Sequence, residues 1–180
     1  MKLLKKLQEM VKSDNVQVLF FDESRFGTHS KLGHGWFERG VRTPVNIKLG
    51  FQNFYVYSAI SSTSGYNFSL LLPEVNSNNM NVYLERLAKS LRGKKVILVL
   101  DGAAWHKSNE LKVPPNIELL HLPPYSPELN PVERLWQFIK SKTLRNKFYN
   151  SIEDLEAAVC KFIRGITYGD IISNCACNYL

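Results

Sequence analysis

The sequence predicts an α/β domain in which helices cover a mixed sheet that contains an antiparallel hairpin. The chain has 180 residues, of which 44% are hydrophobic, and this is enough for one globular domain with a substantial core. Short β-rich runs and amphipathic segments follow one another as three strands, a helix, two strands and two helices. This order is typical of a mixed sheet with helices packed on it, and no repeat or linker divides the chain.

The first half of the chain contains the predicted hairpin. A basic, amphipathic segment over 1–15 is expected to form a linker helix before the first strand, 16–24, which ends in acids. A short strand between turns, which is not counted among the five main strands, is expected over 35–45. Two β-rich runs, 54–61 and 66–73, are separated by Ser, Thr and Gly, and this pattern predicts a hairpin.

The second half alternates helices with two buried strands. A helix over 76–93 ends at a glycine and precedes strands over 94–102 and 116–123. From Asn130 onward the apolar residues recur at helical spacing, and a last helix is expected over 151–166. The stripe of the helix that begins at Asn130 comprises Val132, Leu135, Trp136, Ile139 and Thr143.

Charge and composition narrow the class of partner. Lys and Arg outnumber Asp and Glu by 23 to 16, and the resulting net charge of +7 favours polyanions, nucleic acid above all. No apolar run approaches the length of a membrane span and no signal-peptide pattern is present, so we expect a cytoplasmic protein without a membrane partner. The three cysteines are too few and too clustered for a disulfide framework.

Three acids stand at the ends of predicted elements. Asp22 ends the first strand, Asp101 ends the fourth, and Glu133 lies at the start of the helix after the fifth. Acids at strand ends meet at the rim of a sheet, where open α/β folds place their ligands. Divalent cations such as Mg²⁺ prefer oxygen ligands, and three carboxylates can hold two such ions about 4 Å apart for phosphoryl transfer.

Each acid also has a structural interpretation. Asp101 is followed by glycine, which is a turn signal by itself. Glu133 stands where the carboxylate of a capping box belongs if Asn130 is the N-cap. Glu23 is adjacent to Asp22, so that either residue or neither has a functional role. Position and spacing therefore leave the role of each acid open.

A proline-rich segment precedes the Glu133 helix. Proline fixes φ near about −65° and pushes the preceding residue toward extended conformations. The segment is therefore expected to be a stiff connection that holds Glu133 over the two aspartates. Its prolines are Pro123, Pro124, Pro127 and Pro131.

Three sequence blocks resemble the catalytic domain of mariner-type transposases, in the branch found in bacterial insertion sequences. The blocks are FFDESRFG at 20–27, LVLDGAAWHKS at 98–108 and LPPYSPELNPVERLW at 122–136. The resemblance implies a ribonuclease-H-like (retroviral-integrase-like) fold whose sheet rim carries a DDE set of acids. By motif, the three acids are Asp22, Asp101 and Glu133.

The resemblance also implies the chemistry. Members use Mg²⁺ or Mn²⁺, here held by Asp22, Asp101 and Glu133, to cut DNA at element ends and to join the freed 3′-hydroxyl to target DNA. His106, which matches a histidine of the family motif, is expected to support the metals or the scissile phosphate; a hydrogen bond within its own turn is the alternative. The implied partners are transposon ends, target DNA and a second copy in a homodimer, in the bacterial cytoplasm at the nucleoid.

Cations on and beyond the Glu133 helix are predicted to contact DNA phosphates. No acid occurs between 134 and 147, and such a cluster would make DNA binding salt-dependent. An ordinary solvated helix face has the same composition. The predicted DNA-binding residues are Arg134, Lys140, Lys142 and Arg145, with Tyr125 and Ser126 of the proline-rich segment.

The resemblance assigns 16–180 to the DDE catalytic domain. Only about fifteen residues precede the first strand, too few for the helix-turn-helix segments of complete transposases, so we expect a separate helix-turn-helix portion as a further partner. Two other functions remain as alternatives. One is a decayed or repurposed, non-catalytic DNA-binding module. The other is a glycosidase with two carboxylates, which accounts for neither the basic charge nor the proline-rich segment.

Overall fold

In the described part of the chain, one mixed sheet of five strands forms the centre of the domain. The computed structural model describes residues 16–28, 39–40, 52–124 and 126–177. The predicted linker helix over 1–15 and all but Arg39 and Gly40 of the predicted strand over 35–45 lie outside the described residues. In chain order the strands are β1 (Val16–Gly27), β2 (Asn53–Ile60), β3 (Asn67–Leu72), β4 (Lys95–Leu100) and β5 (Ile117–His121).

The spatial order of the strands is β3-β2-β1-β4-β5. β1, β2 and β3 form an antiparallel meander, and β4 and β5 run parallel to β1. The predicted hairpin is the β2–β3 pair. β1 continues to Gly27, three residues beyond its predicted end, because its last residues pair with the start of β2. The predicted α/β mixed sheet is therefore confirmed.

A helix of 14 residues, α1 (Ser77–Ser90), covers one face of the sheet. Its start is fixed by Asn76, whose side chain accepts a hydrogen bond of 2.8 Å from the backbone N–H of Asn79. The helix ends before Arg92 and Gly93, which both have positive φ. Val82 of α1 points away from the sheet and is 45% exposed. The buried residues of α1 are Met80, Tyr83, Leu84 and Leu87.

Three helices cover the opposite face: α2 (Val132–Thr143), α3 (Ile152–Gly165) and α4 (Tyr168–Asn174). All five residues of the predicted α2 stripe are buried against the sheet or the neighbouring helices. The sequence patterns do not predict α4, which has seven residues and one buried side chain, Ile171. A complete capping box between Thr167 and Asp170 begins this helix.

Two short 3-10 helices occupy segments that were predicted as connections, Ala104–Lys107 after β4 and Pro127–Leu129 before α2. Both lie close to the predicted acids. Across the described part of the chain, no helix is long and apolar enough to cross a membrane.

Candidate active site

The register between β1 and β4 places two of the predicted acids side by side. The two strands are parallel, and the last pair of their ladder joins Phe20 to Val99. Extending this register by two residues brings Asp22 level with Asp101. Side chains alternate along a strand, so Asp22 lies on the same face of the sheet as Phe20, and Asp101 lies on the same face as Val99. Both acids therefore lie on the face that α2 covers.

The carboxylate of Asp22 is held by a tryptophan of α2. The indole Nε1 of Trp136 donates to Oδ2 of Asp22 over 2.7 Å, and Trp136 itself is 3% exposed. Burial raises the pKa of Asp22 to about 7, and the negative charges of Glu23 and Glu133 add to this rise, although the bond from Trp136 opposes it. Asp22 is thus a carboxylate for which ionisation is costly unless a cation is nearby.

Glu133 is placed by the connection between α2 and β1. The side chain of Asn130 donates to the backbone carbonyl of Phe21 over 3.0 Å and accepts from the backbone N–H of Val132 over 3.2 Å. Asn130 is 6% exposed, so these bonds fix the start of α2 against the residue that precedes Asp22. Three positions after Asn130, Glu133 lies exposed in the first turn of the helix.

The capping-box interpretation of Glu133 is wrong. A capping box requires its carboxylate to accept from the backbone N–H of Asn130. That N–H instead donates to the carbonyl of Pro127 over 2.9 Å, within the 3-10 helix of the proline-rich segment. The preceding turn therefore satisfies the donor, and the carboxylate of Glu133 is not engaged in capping its own helix.

All three acids line one cavity. Its volume is about 410 Å³, and its wall comes from the middle of β1, from the residues that follow β4, from the proline-rich segment and from the start of α2. Among the described residues, no three His, Cys, Asp or Glu side chains already lie close enough together to hold one ion. The cavity is lined by Asp22, Asp101, Glu133, Gly102, Ala103, Leu122, Pro123, Pro124, Ser126, Pro127 and Asn130.

His106 links Asp101 to an acid on the other side of the sheet. Its Nδ1 lies 2.7 Å from Oδ1 of Asp101 and its Nε2 lies 3.0 Å from Oε1 of Glu23. Burial opposes protonation of the ring, but the hydrogen bonds and charges of Glu23 and Asp101 outweigh burial and raise the pKa of His106. Both interpretations of His106 therefore have support: it bonds within its own turn and it also contacts a predicted ligand.

The predicted DNA-binding cations do not form one surface. Arg134 donates to the backbone carbonyl of Ala176 near the described C-terminal end. Lys140 lies over the ring of Phe26, with Nζ 5.3 Å from the centroid. Arg145 is exposed beyond the end of α2.

Lys142 is separated from the candidate active site. Successive residues are about 100° apart around a helix, so Lys142 lies on the side of α2 opposite Glu133, whereas Lys140 shares the side of Glu133. Lys142 lines a second cavity of about 480 Å³ between α2 and α3, which contains none of the three acids. Of the two candidates in the proline-rich segment, Ser126 lines the candidate active site and donates to the carbonyl of Pro124. Tyr125 lies outside the described residues.

Three residues of the site were not identified as functional candidates from the sequence. Trp136 was assigned only to the core stripe of α2, and Asn130 only to a helix cap. Glu23 was left undecided, although the alternation of side chains along β1 puts it on the opposite face from Asp22. That alternation was the available signal, whereas the contact of Glu23 with His106 spans 83 residues and has no signal in the sequence.

Comparison with known proteins places the chain in a family. A family model described as DDE superfamily endonuclease matches residues 17–156. The chain is 38% identical over 107 residues to the uncharacterized protein y4pE/y4sA of Sinorhizobium fredii, covering 59% of this chain and 79% of that protein. It is 29% identical over 156 residues to the insertion element IS630 uncharacterized 39 kDa protein of Shigella sonnei, covering 83% of this chain and 45% of that protein. It is 27% identical over 158 residues to the Tc3 transposase of Caenorhabditis elegans, covering 79% of this chain and 47% of that protein.

Solved structures share the fold. The Mos1 mariner paired-end complex with Mn matches with a TM-score of 0.74 at 17% identity, over 97% of this chain and 56% of that chain. The Mos1 paired-end complex with the left transposon end matches with a TM-score of 0.72 at 18% identity, over 96% and 56%. The predicted ribonuclease-H-like fold is confirmed. The chain spans about half the length of the IS630 and Tc3 relatives. It belongs to the DDE superfamily of endonucleases, as a catalytic domain of the mariner/IS630 type of transposase.

Proposed function

We propose that residues 16–180 form a catalytic domain that cuts DNA and transfers the cut strand with divalent metal ions held by Asp22, Asp101 and Glu133. The observation that carries the proposal is that these acids, which come from three separate elements, line one cavity. The proposed cofactor is Mg²⁺ or Mn²⁺, because similar Mos1 complexes were solved with each of these ions.

The donor set of the cavity fits a hard divalent cation. The three acids offer only oxygen ligands, which Mg²⁺ prefers, and Mg²⁺ is usually bound by one or two carboxylates together with water and substrate phosphates. Two ions that share three acids therefore need no group of three protein ligands around either ion. The raised pKa of Asp22, to about 7, also supports the fit, because its burial and its negative neighbours leave a charge that a cation would offset.

The side chains around the cavity position these acids. When bound, a pair of divalent ions supplies activation of the attacking oxygen and stabilisation of the leaving oxygen in an in-line displacement at phosphorus. Trp136 fixes Oδ2 of Asp22, and Asn130 fixes the start of the helix that carries Glu133. The proline-rich segment before α2 forms a further part of the cavity wall. Such constraints reduce the loss of entropy when the reacting groups are brought together.

The proposed substrates are transposon ends and target DNA. The net charge of +7 supports a polyanionic partner, and the similar Mos1 structures include a complex with a transposon end. Ser126 lines the cavity and Lys140 shares the side of α2 with Glu133, so these two residues are the first candidates for phosphate contacts. We further propose that the chain acts as a homodimer, with a separate helix-turn-helix portion, in the bacterial cytoplasm at the nucleoid.

The test is a nicking assay on DNA in the presence of Mn²⁺, with metal affinity measured in parallel by calorimetry. Asp22→Ala, Asp101→Ala and Glu133→Ala are each expected to reduce nicking by at least ~100-fold, a loss typical for groups that stabilise developing charge. Glu128→Gln is the matched control, because Glu128 is an exposed acid in the wall-forming segment but does not line the cavity. Circular dichroism checks that each variant is folded.

Unchanged cleavage and unchanged Mn²⁺ affinity in all three variants would refute the assignment of the acids. Salt-dependent DNA binding by the wild type, with neither a metal requirement nor cleavage, would favour the alternative of a non-catalytic DNA-binding module.

A further inference from the structure

The acid adjacent to Asp22 has no part in the function proposed above, yet it is buried. The side chain of Glu23 is 6% exposed, and its Oε1 accepts hydrogen bonds from His106 over 3.0 Å and from Nε1 of Trp105 over 3.3 Å. Within the described part of the chain, His106 is the only cationic side chain within 4 Å of this carboxylate. A buried carboxylate is tolerated only when it is paired and hydrogen-bonded, and His106 and Trp105 meet both needs. What Glu23 does in return for His106 is the question that this contact raises.

The ring of His106 is clamped between two carboxylates. It is 1% exposed, and Nδ1 and Nε2 face Oδ1 of Asp101 and Oε1 of Glu23, respectively. An ionised carboxylate only accepts hydrogen bonds, and a neutral imidazole carries one N–H. Both contacts are therefore satisfied together when both ring nitrogens carry a proton. Phe21 packs against the ring in an edge-on contact with centroids 5.7 Å apart, which restricts its remaining freedom.

Glu23 lies on the wrong face of the sheet to bind metal together with Asp22. The two residues are consecutive in β1, so their side chains point to opposite faces. Asp22 faces α2 and the cavity, whereas Glu23 follows Phe21 and Leu19 on the face that α1 covers. Glu23 is absent from the lining of the cavity that contains the three acids.

Asp101 is the acid that most needs external support. It stands just beyond the end of β4 and its side chain is 58% exposed, so neighbouring packing does little to restrict its rotation. One oxygen, Oδ1, accepts from His106 over 2.7 Å and from the backbone N–H of Ala103 over 3.1 Å. A metal ligand on a loop becomes well ordered when hydrogen bonds outside the metal's own contacts fix it.

We infer that Glu23 is a positioning residue of the metal site: through the ring of His106 it fixes the carboxylate of Asp101 in the orientation that binds the divalent ion. The inference rests on the proposed function. Glu23 does not touch the metal or the DNA; its hydrogen bond holds His106, and His106 holds Asp101. Asp22 and Glu23 thereby contribute to one metal site from opposite faces of the sheet. Asp22 is a ligand, and Glu23 positions a second ligand, Asp101.

The test measures Mn²⁺ affinity of the full chain by calorimetry, without any cleavage readout. Glu23→Ala and His106→Ala are each expected to weaken binding by ~10-fold or more, as is common for residues that orient metal ligands. In Glu23→Gln the amide can donate to Nε2 while Nδ1–H still donates to Asp101, so the affinity is expected to stay within ~3-fold of the wild type. The double variant is expected to be no weaker than either single Ala variant, because both changes remove the same support.

A matched control tests for the loss of an exposed acid alone, and a second readout does not depend on metal affinity. Glu118→Ala removes an exposed acid on β5 and is expected to leave Mn²⁺ affinity unchanged. Carbon-13 NMR of the metal-free chain reports the order of the Asp101 side chain directly: a single conformer in the wild type and in Glu23→Gln, and averaging over several conformers in His106→Ala. This readout remains available if Glu23→Ala fails to fold.

The outcomes separate this inference from the proposed function. If Asp101→Ala abolishes Mn²⁺ binding while Glu23→Ala leaves it intact, or if the effects of Glu23→Ala and His106→Ala add fully, the positioning role is wrong and the metal site stands. If Glu23→Gln binds as weakly as Asp101→Asn, Glu23 is itself a ligand and the inference is overturned. A side chain of Asp101 that is equally ordered in the wild type and in His106→Ala would also overturn it. If none of the three acids at 22, 101 and 133 affects binding, the proposed function fails first.

Discussion

Asp22→Asn is expected to stabilise the metal-free protein at neutral and alkaline pH. The folded protein holds the pKa of Asp22 at about 7, against 3.8 for an ordinary Asp, chiefly because the carboxyl is buried. A carboxyl with a raised folded pKa contributes stability that is fully present below its unfolded pKa and is lost as pH rises through the folded pKa. Between about pH 4 and pH 7 the wild type should therefore lose stability that the Asn variant keeps. The amide oxygen of Asn can still accept the hydrogen bond from Trp136.

The size of the effect follows from the shift. Each pKa unit corresponds to about 1.36 kcal/mol, and a rise from 3.8 to about 7 is about three units, which gives about 4 kcal/mol as the upper limit. Asp22 is partly accessible to solvent at the cavity, and screening there reduces the expected difference to ~2–4 kcal/mol at pH 8. Below about pH 4 the two proteins should be equally stable, because both side chains are then neutral.

The assay is urea denaturation in EDTA at half-unit steps from pH 4 to pH 8.5, with Glu128→Gln as the control for loss of an exposed acid. The quantity of interest is the free energy of unfolding of the variant minus that of the wild type, which should rise with pH. Saturating Mn²⁺ should then stabilise the wild type, by about 2.7 kcal/mol at a hundredfold excess over Kd, but not the Asn variant. A difference that does not change with pH, or an Asn variant less stable than the wild type at pH 8, would show that Asp22 is not electrostatically strained.

Three further outcomes are expected from the contacts around the site and the sheet. Trp136→Phe removes the hydrogen bond to Asp22, and carbon-13 NMR titration should show the pKa of that carboxyl rising by a further ~1–2 units, since hydrogen bonds to charged groups contribute ~1.5–3 kcal/mol. Asn130→Ala leaves two backbone groups without their side-chain partner, and urea denaturation should show a loss of ~1–3 kcal/mol. Gly65→Ala should destabilise by more than ~1 kcal/mol in the same assay, because φ is +73° and the added Cβ would lie 2.5 Å from the carbonyl oxygen of Tyr168.

The strands, and the three acids as candidates, could be identified from the sequence because their signals are local. A buried β-rich run that ends in an acid is visible within ten residues, as at Asp22 and Asp101, and it needs no knowledge of the neighbouring strand. The stripe of α2 was equally visible. By contrast, α4 has seven residues and one buried side chain, so it carries too few turns for a periodic pattern.

The supporting contacts could not be predicted because they join distant parts of the chain. Trp136 bonds to Asp22 across 114 residues, and its place in an apolar stripe concealed the polar role of its Nε1. The separation of Lys142 from Glu133 is different, because the helical spacing alone would have shown it. Whether Glu133 caps its own helix depends on which group accepts the backbone N–H of Asn130, the carbonyl of Pro127 or the carboxylate of Glu133. A sequence pattern does not decide between these two acceptors.

The parallel register of β1 and β4 restricts where this domain tolerates insertions. A shift of one residue within the ladder would turn Glu23 toward the cavity and Asp22 toward the layer of α1, because every side chain of β1 would change face. Two adjacent carboxylates with opposite surroundings thus make a shifted pairing doubly unfavourable: one acid would enter an apolar layer and His106 would lose its partner. Length changes among homologues should therefore accumulate in the connections, such as the segment between β1 and β2, and be rare between Val16 and Glu23 and within β4.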